Sequence, residues 1–191
     1  TVSAGITLER LNNHYLAPHQ LWLPIDIGAE ICQIGGMVST NAAGTKRMRF
    51  GTMGDRVLAY TVVLANGSVK TYQKRYSALE NPLMQDNSRL DANNPFIGSE
   101  GIFGVIVDVT VRLAPTPTAN ASIAVIPSKQ SNIPEIISLC HKQFGDNFTA
   151  CEGISLSLLQ HAGGDKYPFA TKDHTTTITN QDYMLLIELS S

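Results

Sequence analysis

Segments rich in small residues constrain the fold of this chain more than any other feature of its sequence. Small side chains let backbone N–H groups approach a ligand closely, and glycine readily reaches backbone angles that other residues rarely adopt. Tight turns and close strand crossings need the same residues. If only the glycines are considered, turns and crossings explain these segments better than a ligand does. The segments with this composition are 24–30 (PIDIGAE), 34–44 (IGGMVSTNAAG) and 98–106 (GSEGIFGVI).

Composition places the chain among ordinary globular proteins. Hydrophobic residues make up 43% of its 191 residues and charged residues 16%, which excludes a disordered chain. The net charge of -2 gives no reason to expect nucleic acid or an anionic membrane as a partner. Cys32, Cys140 and Cys151 are widely spaced, so we expect reduced thiols and a cytoplasmic protein.

The hydrophobic pattern predicts an α+β chain with a domain boundary at the Pro-Thr-Pro-Thr run 115–118. Thr7 can cap a short helix, and Asn66-Gly67 predicts a two-residue hairpin turn. The later pattern of strand, helix, strand and strand is typical of half an open-faced sandwich. We predict strands over 56–64, 68–73, 105–113, 122–126, 151–159 and 183–189, a helix over 133–144, and polar loops over 81–94 and 163–180.

The common signatures of nucleotide and catalytic sites are absent from this sequence. It contains no GxGxxG, no GxxxxGK[ST], no GxSxG and no HExxH. The five histidines are scattered, so we predict no metal site. Arg47 and Arg49 could steer an anion or simply be solvated charges.

The order of several short motifs resembles the PCMH-type FAD-binding domain of the vanillyl-alcohol oxidase superfamily. Within it, the chain is most similar to the D-lactate, glycolate and D-2-hydroxyglutarate dehydrogenase branch. The resemblance covers residues 1–117, and 185–189 resembles a strand of that branch's cap domain more weakly. The motifs that carry it are AGITLERLN (4–12), LPID (23–26), IGG (34–36), TNAAG (40–44), RFG (49–51), VVLANG (62–67), FIGSEG (96–101), GVI (104–106) and PTP (115–117).

The resemblance implies a fold and a cofactor. Residues 1–117 would be the second α+β subdomain of an FAD-binding domain, and residues 118–191 the start of a ferredoxin-like substrate (cap) domain. The Gly35-Gly36 turn would lie along the pyrophosphate and flavin, and Glu100 with the following glycines would hold the adenosine half. The implied FAD-binding residues are Pro24, Asp26, Ile27, Gly28, Glu30, Gly35, Gly36, Thr40, Asn41, Ala42, Ala43, Glu100, Gly101, Gly104, Val105 and Ile106.

The chain also departs from the pattern of the family it resembles. Ala43 stands where the family often has glycine, so we expect an ordinary φ there. Neither the family's RGGGT-type phosphate loop nor its HxxGDGNxH stretch is present. We therefore expect a fragment that needs the N- and C-terminal parts of the same protein, carries no catalytic residue and is inactive alone.

The function implied by the resemblance is oxidation of a D-2-hydroxy acid to a 2-keto acid, with hydride transfer to FAD. The electron acceptor is unknown, and association into a homo-oligomer and membrane association of the intact enzyme stay open. One alternative is another oxidase of the superfamily, acting on an aldose or a phenol. Another is a flavin-free structural or interaction module. The enzyme hypothesis predicts an open groove beside Gly35 and Gly101, and the module hypothesis predicts a filled cleft there.

Overall fold

The computed structural model describes residues 1–29, 31–73, 95–163 and 183–191. The predicted loop over 81–94, nearly all of the loop over 163–180, and Glu30 lie outside these residues. The chain divides into two compact units, Thr1–Thr116 and Pro117–Ser191. Each unit mixes helices and sheet, which confirms the predicted α+β class. That the units are an FAD-binding domain and a substrate domain stays a prediction.

The first unit is built on an antiparallel sheet of four strands, in the order β1 (Val2–Ser3), β5 (Val105–Val111), β3 (Val57–Val63) and β4 (Val69–Gln73). A two-stranded ladder pairs Leu21 with Pro115 and Trp22 with Ala114. The predicted strands of this half are therefore confirmed, with ends shifted by one or two residues. The elements are β1 (Val2–Ser3), α1 (Leu8–Arg10), a π-helical turn (Leu11–Leu16), a 3₁₀ turn (Ala17–His19), β2 (Leu21–Trp22), α2 (Ile34–Ser39), α3 (Arg47–Phe50), α4 (Met53–Arg56), β3 (Val57–Val63), β4 (Val69–Gln73), β5 (Val105–Val111) and β6 (Ala114–Pro115).

The hairpin between β3 and β4 is present, but its turn is one residue longer than predicted. The Leu64 N–H donates to the Ser68 carbonyl at 2.9 Å, so three residues form the loop. Gly67 has φ +78° and its N–H donates to the Leu64 carbonyl. A turn closed by a left-handed glycine is the usual three-residue hairpin. The Asn66-Gly67 pair therefore predicted the place of the turn correctly, but the loop has three residues and not two.

The first helical segment begins at Thr7, as predicted. The Thr7 hydroxyl accepts a hydrogen bond from the Arg10 N–H at 3.2 Å and so caps the first turn. The helix then widens into the π-helical turn, where the Asn12 side chain reaches Leu23. Its Oδ1 accepts from the Leu23 N–H at 2.8 Å, and its Nδ2 donates to the Leu23 carbonyl at 3.4 Å. Asn12 thereby satisfies both backbone groups of a fully buried residue.

Replacing Asn12 with alanine is expected to lower the free energy of unfolding by about 1–3 kcal/mol, since it leaves two buried backbone groups without their partner. The neighbouring Asn13 is exposed, so Asn13→Ala is the matched control. Urea denaturation followed by circular dichroism measures both variants. Equal midpoints for the two variants would show that the Asn12 bonds add no stability.

The core of the first unit lies between its sheet and its short helices. Strands β3 and β5 contribute the sheet side, and α1 and α2 contribute the helical side. Leu23, Ile34 and Val38 have no exposed side-chain surface. The buried members are Leu8, Leu11, Leu23, Ile25, Ile34, Met37, Val38, Met53, Val57, Tyr60, Val62, Phe96, Ile106 and Val109.

The second unit contains a three-stranded antiparallel sheet in the order β7 (Asn120–Val125), β9 (Tyr183–Ser190) and β8 (Phe148–Ser155), so its last strand is central. The helix predicted over 133–144 is confirmed at the same bounds. It packs its apolar face on Phe148, Leu185 and Ile187. The elements are β7 (Asn120–Val125), a 3₁₀ turn (Gln130–Asn132), α5 (Ile133–Phe144), a 3₁₀ turn (Gly145–Asn147), β8 (Phe148–Ser155), α6 (Leu156–Gly163) and β9 (Tyr183–Ser190).

The strand predicted over 151–159 is wrong in its second half, because helix α6 begins at Leu156. The run Ile154 to Leu158 alternates apolar and polar residues, which is the pattern of a strand, and tertiary packing overrides it here. In the structure Leu156 is fully buried, whereas Leu158 is 62% exposed. The ladder with β9 stops at the pair Ser155–Tyr183, and the chain turns into the helix there.

Two further properties of the described residues bear on function. In these ranges no helix is long and apolar enough to cross a membrane. Burial raises the pKa of the Cys151 thiol, and the nearby Cys140 adds to this effect. A thiol with a raised pKa is a weak nucleophile at neutral pH.

Candidate cofactor-binding groove

Helix α2 carries the glycine pair that the sequence analysis placed in a turn. That prediction is wrong, because Gly35 and Gly36 lie inside the helix. Ile34, Met37 and Val38 are buried at helical spacing, which overrides the breaking tendency of the two glycines. The glycine pair therefore presents a helix surface.

Close packing against the end of β1 explains one of these glycines. The Gly35 N–H donates to the Ala4 carbonyl at 2.8 Å. An ideal Cβ built on Gly35 would lie 2.6 Å from the Cβ of Ala4, closer than real side chains approach. Gly35 is therefore needed for α2 to lie against the chain at Ala4.

The other end of α2 is closed by the loop that precedes β5. The Gly98 N–H donates to the Val38 carbonyl at 3.1 Å, and the Glu100 N–H donates to the Ser39 carbonyl at 2.8 Å. Glu100 has φ +53°, between glycines at +74° and +84°. Left-handed angles at a non-glycine residue cost free energy, and the helix carbonyls that this loop satisfies help to offset it.

These contacts leave an open groove between α2 and the segment that leads into β5. Its volume is about 290 Å³, at the lower end of the range for ligand sites. The open groove that the enzyme hypothesis predicted beside Gly35 and Gly101 is therefore present. The groove is lined by Ala4, Gly5, Gln33, Gly35, Gly36, Ser39, Gly101, Gly104, Val105 and Ile106.

Gly36 is the lining residue that packing explains least. It lies within α2 with a φ outside the left-handed range, and an ideal Cβ on it would meet no atom within 4 Å. Alanine would be more stable there by up to about 1 kcal/mol. Space kept free for a ligand is a physical reason for glycine at such a position. The groove residues therefore fit an extended cofactor that approaches the backbone.

The structure brings six of the predicted residues together in this groove: Gly35, Gly36, Gly101, Gly104, Val105 and Ile106. Gly104 also packs tightly, since a Cβ on it would lie 2.8 Å from the Val63 carbonyl oxygen. Glu100 adjoins the groove without lining it. The sequence did not indicate Ala4, Gly5 or Gln33 as lining residues, and Ser39 was placed in the ligand-lining segment 34–44 without being named as an FAD-binding residue. Of these residues only Gln33 adjoins a small-residue segment, since it directly precedes the segment 34–44.

The FAD-binding residues predicted in the segment 24–30, as far as the structure describes them, do not line this groove. The Pro24 side chain is fully buried, and Gly28 is exposed. The Asp26 carboxylate forms an ion pair with Lys46. The Asp26 backbone packs on Gly44, where an ideal Cβ would lie 1.8 Å from the Asp26 carbonyl oxygen. Ile27 packs partly buried against the core.

The residues after α2 form a hydrogen-bonded connection to α4. The Thr40 hydroxyl donates to the Gly36 carbonyl at 3.0 Å. Asn41 has φ +50°, and its Oδ1 accepts from the Gly54 N–H at 2.8 Å. The Ala42 carbonyl accepts from the Met53 N–H at 2.8 Å. Ala43 has an ordinary φ, as expected.

A basic and aromatic cluster lies around α3 and α4. The guanidinium carbons of Arg49 and Arg56 lie 5.1 and 5.3 Å from the ring centre of Phe50, which contacts Trp22 edge to face. Burial lowers the pKa of Arg56, the neighbouring Arg112 lowers it further, and Asp55 opposes both. Arg56 also donates to the Phe50 carbonyl at 2.9 Å, so its side chain has a structural role.

No cluster of three or more His, Cys, Asp or Glu side chains suitable for a metal ion occurs within the described ranges. The groove itself offers backbone groups, aliphatic surface and the side chains of Gln33 and Ser39. This donor set suits an uncharged or oxygen-rich organic ligand better than a metal ion.

Curated relatives of the chain are dehydrogenases. The chain is 36% identical over 161 residues to D-2-hydroxyglutarate dehydrogenase, mitochondrial, of Danio rerio, which covers 83% of this chain and 28% of the relative. It is 35% identical over 145 residues to a probable D-lactate dehydrogenase, mitochondrial, of the same organism, covering 73% of this chain and 27% of the relative. The chain thus spans between a quarter and a third of the length of these relatives.

A solved structure and a family model agree with these relatives. Alkyldihydroxyacetonephosphate synthase matches 98% of this chain and 34% of its own with a TM-score of 0.71 at 15% identity, which shows the fold. Residues 1–73 match the family model described as FAD binding domain. That span includes α2 and Gly36, and it supports FAD as the cofactor. Residues 1–73 of this chain are therefore similar to the FAD-binding domain family, and the chain shares the fold of the matching part of alkyldihydroxyacetonephosphate synthase.

Proposed function

We propose that the whole protein containing this chain is an FAD-dependent oxidoreductase that oxidises a D-2-hydroxy acid to the 2-keto acid. The family match supports the cofactor, and relatives named as D-2-hydroxyglutarate and D-lactate dehydrogenases support the substrate class. The proposal includes the division of labour in which residues 1–117 bind FAD and residues 118–191 belong to the substrate domain.

The observation that carries the proposal is the groove beside Gly36. A glycine inside a helix, with neither a packing contact nor a left-handed φ to require it, costs stability unless something must come close to it. A flavin-free module would gain from alanine there and would not need the groove. The open groove therefore favours the cofactor-binding function.

The described residues contribute to function by shaping the groove in which the cofactor binds. Gly36 and Gly101 keep side chains out of the groove, and Gly35 and Gly104 bring its two walls close to neighbouring backbone. Val105 and Ile106 offer aliphatic surface. FAD, when bound, supplies the acceptor for the hydride from C2 of the hydroxy acid. The proposal assigns cofactor binding, and not proton transfer, to this chain.

The test is the visible flavin spectrum of the whole protein before and after anaerobic addition of hydroxy acids. D-2-Hydroxyglutarate and D-lactate are expected to bleach the spectrum, and their L enantiomers are the controls. A bound flavin that only an aldose or a phenol reduces would support another oxidase of the superfamily. Absence of flavin after incubation with FAD would overturn the proposal.

Two finer expectations are tested separately. The sequence predicts a cytoplasmic protein, whereas the two relatives described above are named as mitochondrial enzymes. Fractionation of the host cells decides between the two compartments. Reoxidation of the reduced protein by oxygen, a quinone or an electron-transfer protein identifies the acceptor.

A further inference from the structure

The loop of the β3–β4 hairpin contains a reactive sequence that the proposed function does not use. Asn66 is followed by Gly67, and no other asparagine of the chain precedes a glycine. Both residues are exposed. The amide carbon Cγ of an asparagine can be attacked by the backbone nitrogen of the next residue, and glycine hinders this attack least because it has no Cβ. The loop is therefore a candidate site of spontaneous deamidation.

The structure places two hydrogen-bond donors on the oxygen of this side chain. The Ser68 N–H donates to Asn66 Oδ1 at 3.0 Å. The Ser68 hydroxyl donates to the same oxygen at 2.7 Å. The first bond is the turn that asparagine commonly forms with the backbone two residues on, and the serine side chain adds the second. Together they hold the Asn66 side chain folded toward residue 68, beside the peptide group of Gly67.

These donors lie where the reaction develops negative charge. When a nitrogen adds to Cγ, electrons of the Cγ=Oδ1 double bond move to Oδ1. Hydrogen bonds to a charged oxygen are stronger than those to a neutral one, so donors already in place lower the barrier to addition. The hairpin fixes their position, because the Ser68 carbonyl accepts from the Leu64 N–H at 2.9 Å. The fold thus provides an arrangement like an oxyanion hole for Asn66.

One contact in the same loop opposes the reaction. The Gly67 N–H donates to the Leu64 carbonyl at 2.9 Å, so the nitrogen must leave this bond before it attacks. The bond lies in an exposed loop, beyond the last pair of the strand ladder, Val63 and Val69. Local opening of such a loop costs less free energy than unfolding of the hairpin. The bond therefore slows the reaction without blocking it.

We propose that Asn66 is a self-modification site, at which the hairpin converts its own asparagine through a cyclic imide with Ser68 as the activating residue. The Gly67 nitrogen loses its proton and forms a bond to Asn66 Cγ, and the Cγ–Nδ2 bond breaks to release ammonia. Water then opens the imide at either of its carbonyl groups and leaves aspartate or isoaspartate. One water is consumed for each ammonia released, and no oxidant or reductant takes part.

The two products differ in their effect on the hairpin. Aspartate keeps an acceptor for Ser68 and adds one negative charge to the loop. Isoaspartate routes the backbone through the former side chain and lengthens the loop by one methylene group, which disturbs the bond between Leu64 and Ser68. Strand β3 carries the core residues Tyr60 and Val62, so this change reaches the end of a core strand.

The experiment incubates the folded whole protein at mildly alkaline pH and follows each asparagine by peptide mass spectrometry, with isoaspartate measured by enzymatic methylation. Asn66 is expected to deamidate, whereas the exposed Asn13, which precedes His14, stays intact as the internal control. Ser68→Ala is expected to slow the reaction about 3- to 10-fold, as for the loss of one hydrogen bond. Ser68→Thr keeps the hydroxyl and is expected to keep the rate.

The same incubation in urea separates the role of the fold from that of the Asn-Gly sequence. Unfolded wild type and unfolded Ser68→Ala are expected to react at equal rates, because the hydroxyl is no longer held on Oδ1. An Asn66 that reacts in urea but stays intact in the folded protein overturns the proposal, since the bond between Gly67 and Leu64 then protects the site. Equal rates for the two folded proteins overturn it as well. Circular dichroism of both Ser68 variants is expected to match that of the wild type.

Discussion

Replacing Gly36 with alanine is expected to make the flavin-free protein more stable and to weaken its binding of FAD. Glycine in a helix interior costs up to about 1 kcal/mol relative to alanine. The new Cβ would meet no protein atom within 4 Å, so nothing offsets the gain. The same methyl group would occupy the groove and force the cofactor outward. Overpacking of this kind corresponds to about a 10- to 100-fold rise in the dissociation constant.

Two measurements on the same preparation test whether stability rises while FAD affinity falls. Thermal unfolding without flavin gives the stability, and flavin fluorescence titration gives the affinity. Gly153→Ala is the control, because Gly153 lies on β8 and its Cβ would make only an ordinary 4.0 Å contact. A Gly36→Ala variant that binds FAD as tightly as the wild type would show that the cofactor does not approach α2 at this residue.

Replacing Gly44 with alanine is expected to destabilise the first unit by about 3 kcal/mol or more. The added Cβ would lie 1.8 Å from the Asp26 carbonyl oxygen and 2.2 Å from its carbon. These are backbone atoms, so no side-chain rotation relieves the overlap and one chain segment must move. The Thr45 N–H bonds to the same carbonyl at 3.0 Å, and that bond would be strained with it.

Gly28→Ala is the matched control for this prediction. Gly28 belongs to the neighbouring segment, is exposed, and has no atom within 4 Å of its ideal Cβ. Its substitution is expected to change the free energy of unfolding by no more than about 0.5 kcal/mol. Urea unfolding of the flavin-free protein compares the two variants. Similar midpoints would mean that the segments of Asp26 and Gly44 do not pack as described.

The elements that the sequence predicted well are those with a long and consistent pattern. Helix α5 has apolar residues at Ile133, Ile136 and Ile137 and a glycine just after Phe144, and both of its ends were correct. The short elements were harder to predict, because two or three apolar residues fit the helical period and the strand period alike. Helix α6 was read as strand for that reason, and glycine content hid helix α2 although its buried residues have helical spacing.

The groove could be predicted only in part. Glycine-rich stretches indicated where backbone could approach a ligand, and six such residues do line it. Ala4 and Gly5 escaped because their place depends on β1 pairing with β5, more than a hundred residues away in sequence. Gln33 was not predicted because a single polar side chain has no pattern of its own until its surroundings are known.

The central position of β9 dictates the order in which the second unit can form during synthesis. Strands β7 and β8 do not pair with each other, and each pairs with Tyr183–Ser190. Until that strand leaves the ribosome, helix α5 has no complete sheet to cover, and Leu185 and Ile187 are missing from its contacts. Pairing of β7 therefore waits until β9 has been synthesised. During that interval β7 and β8 both expose unpaired edges, and exposed strand edges favour association with other chains.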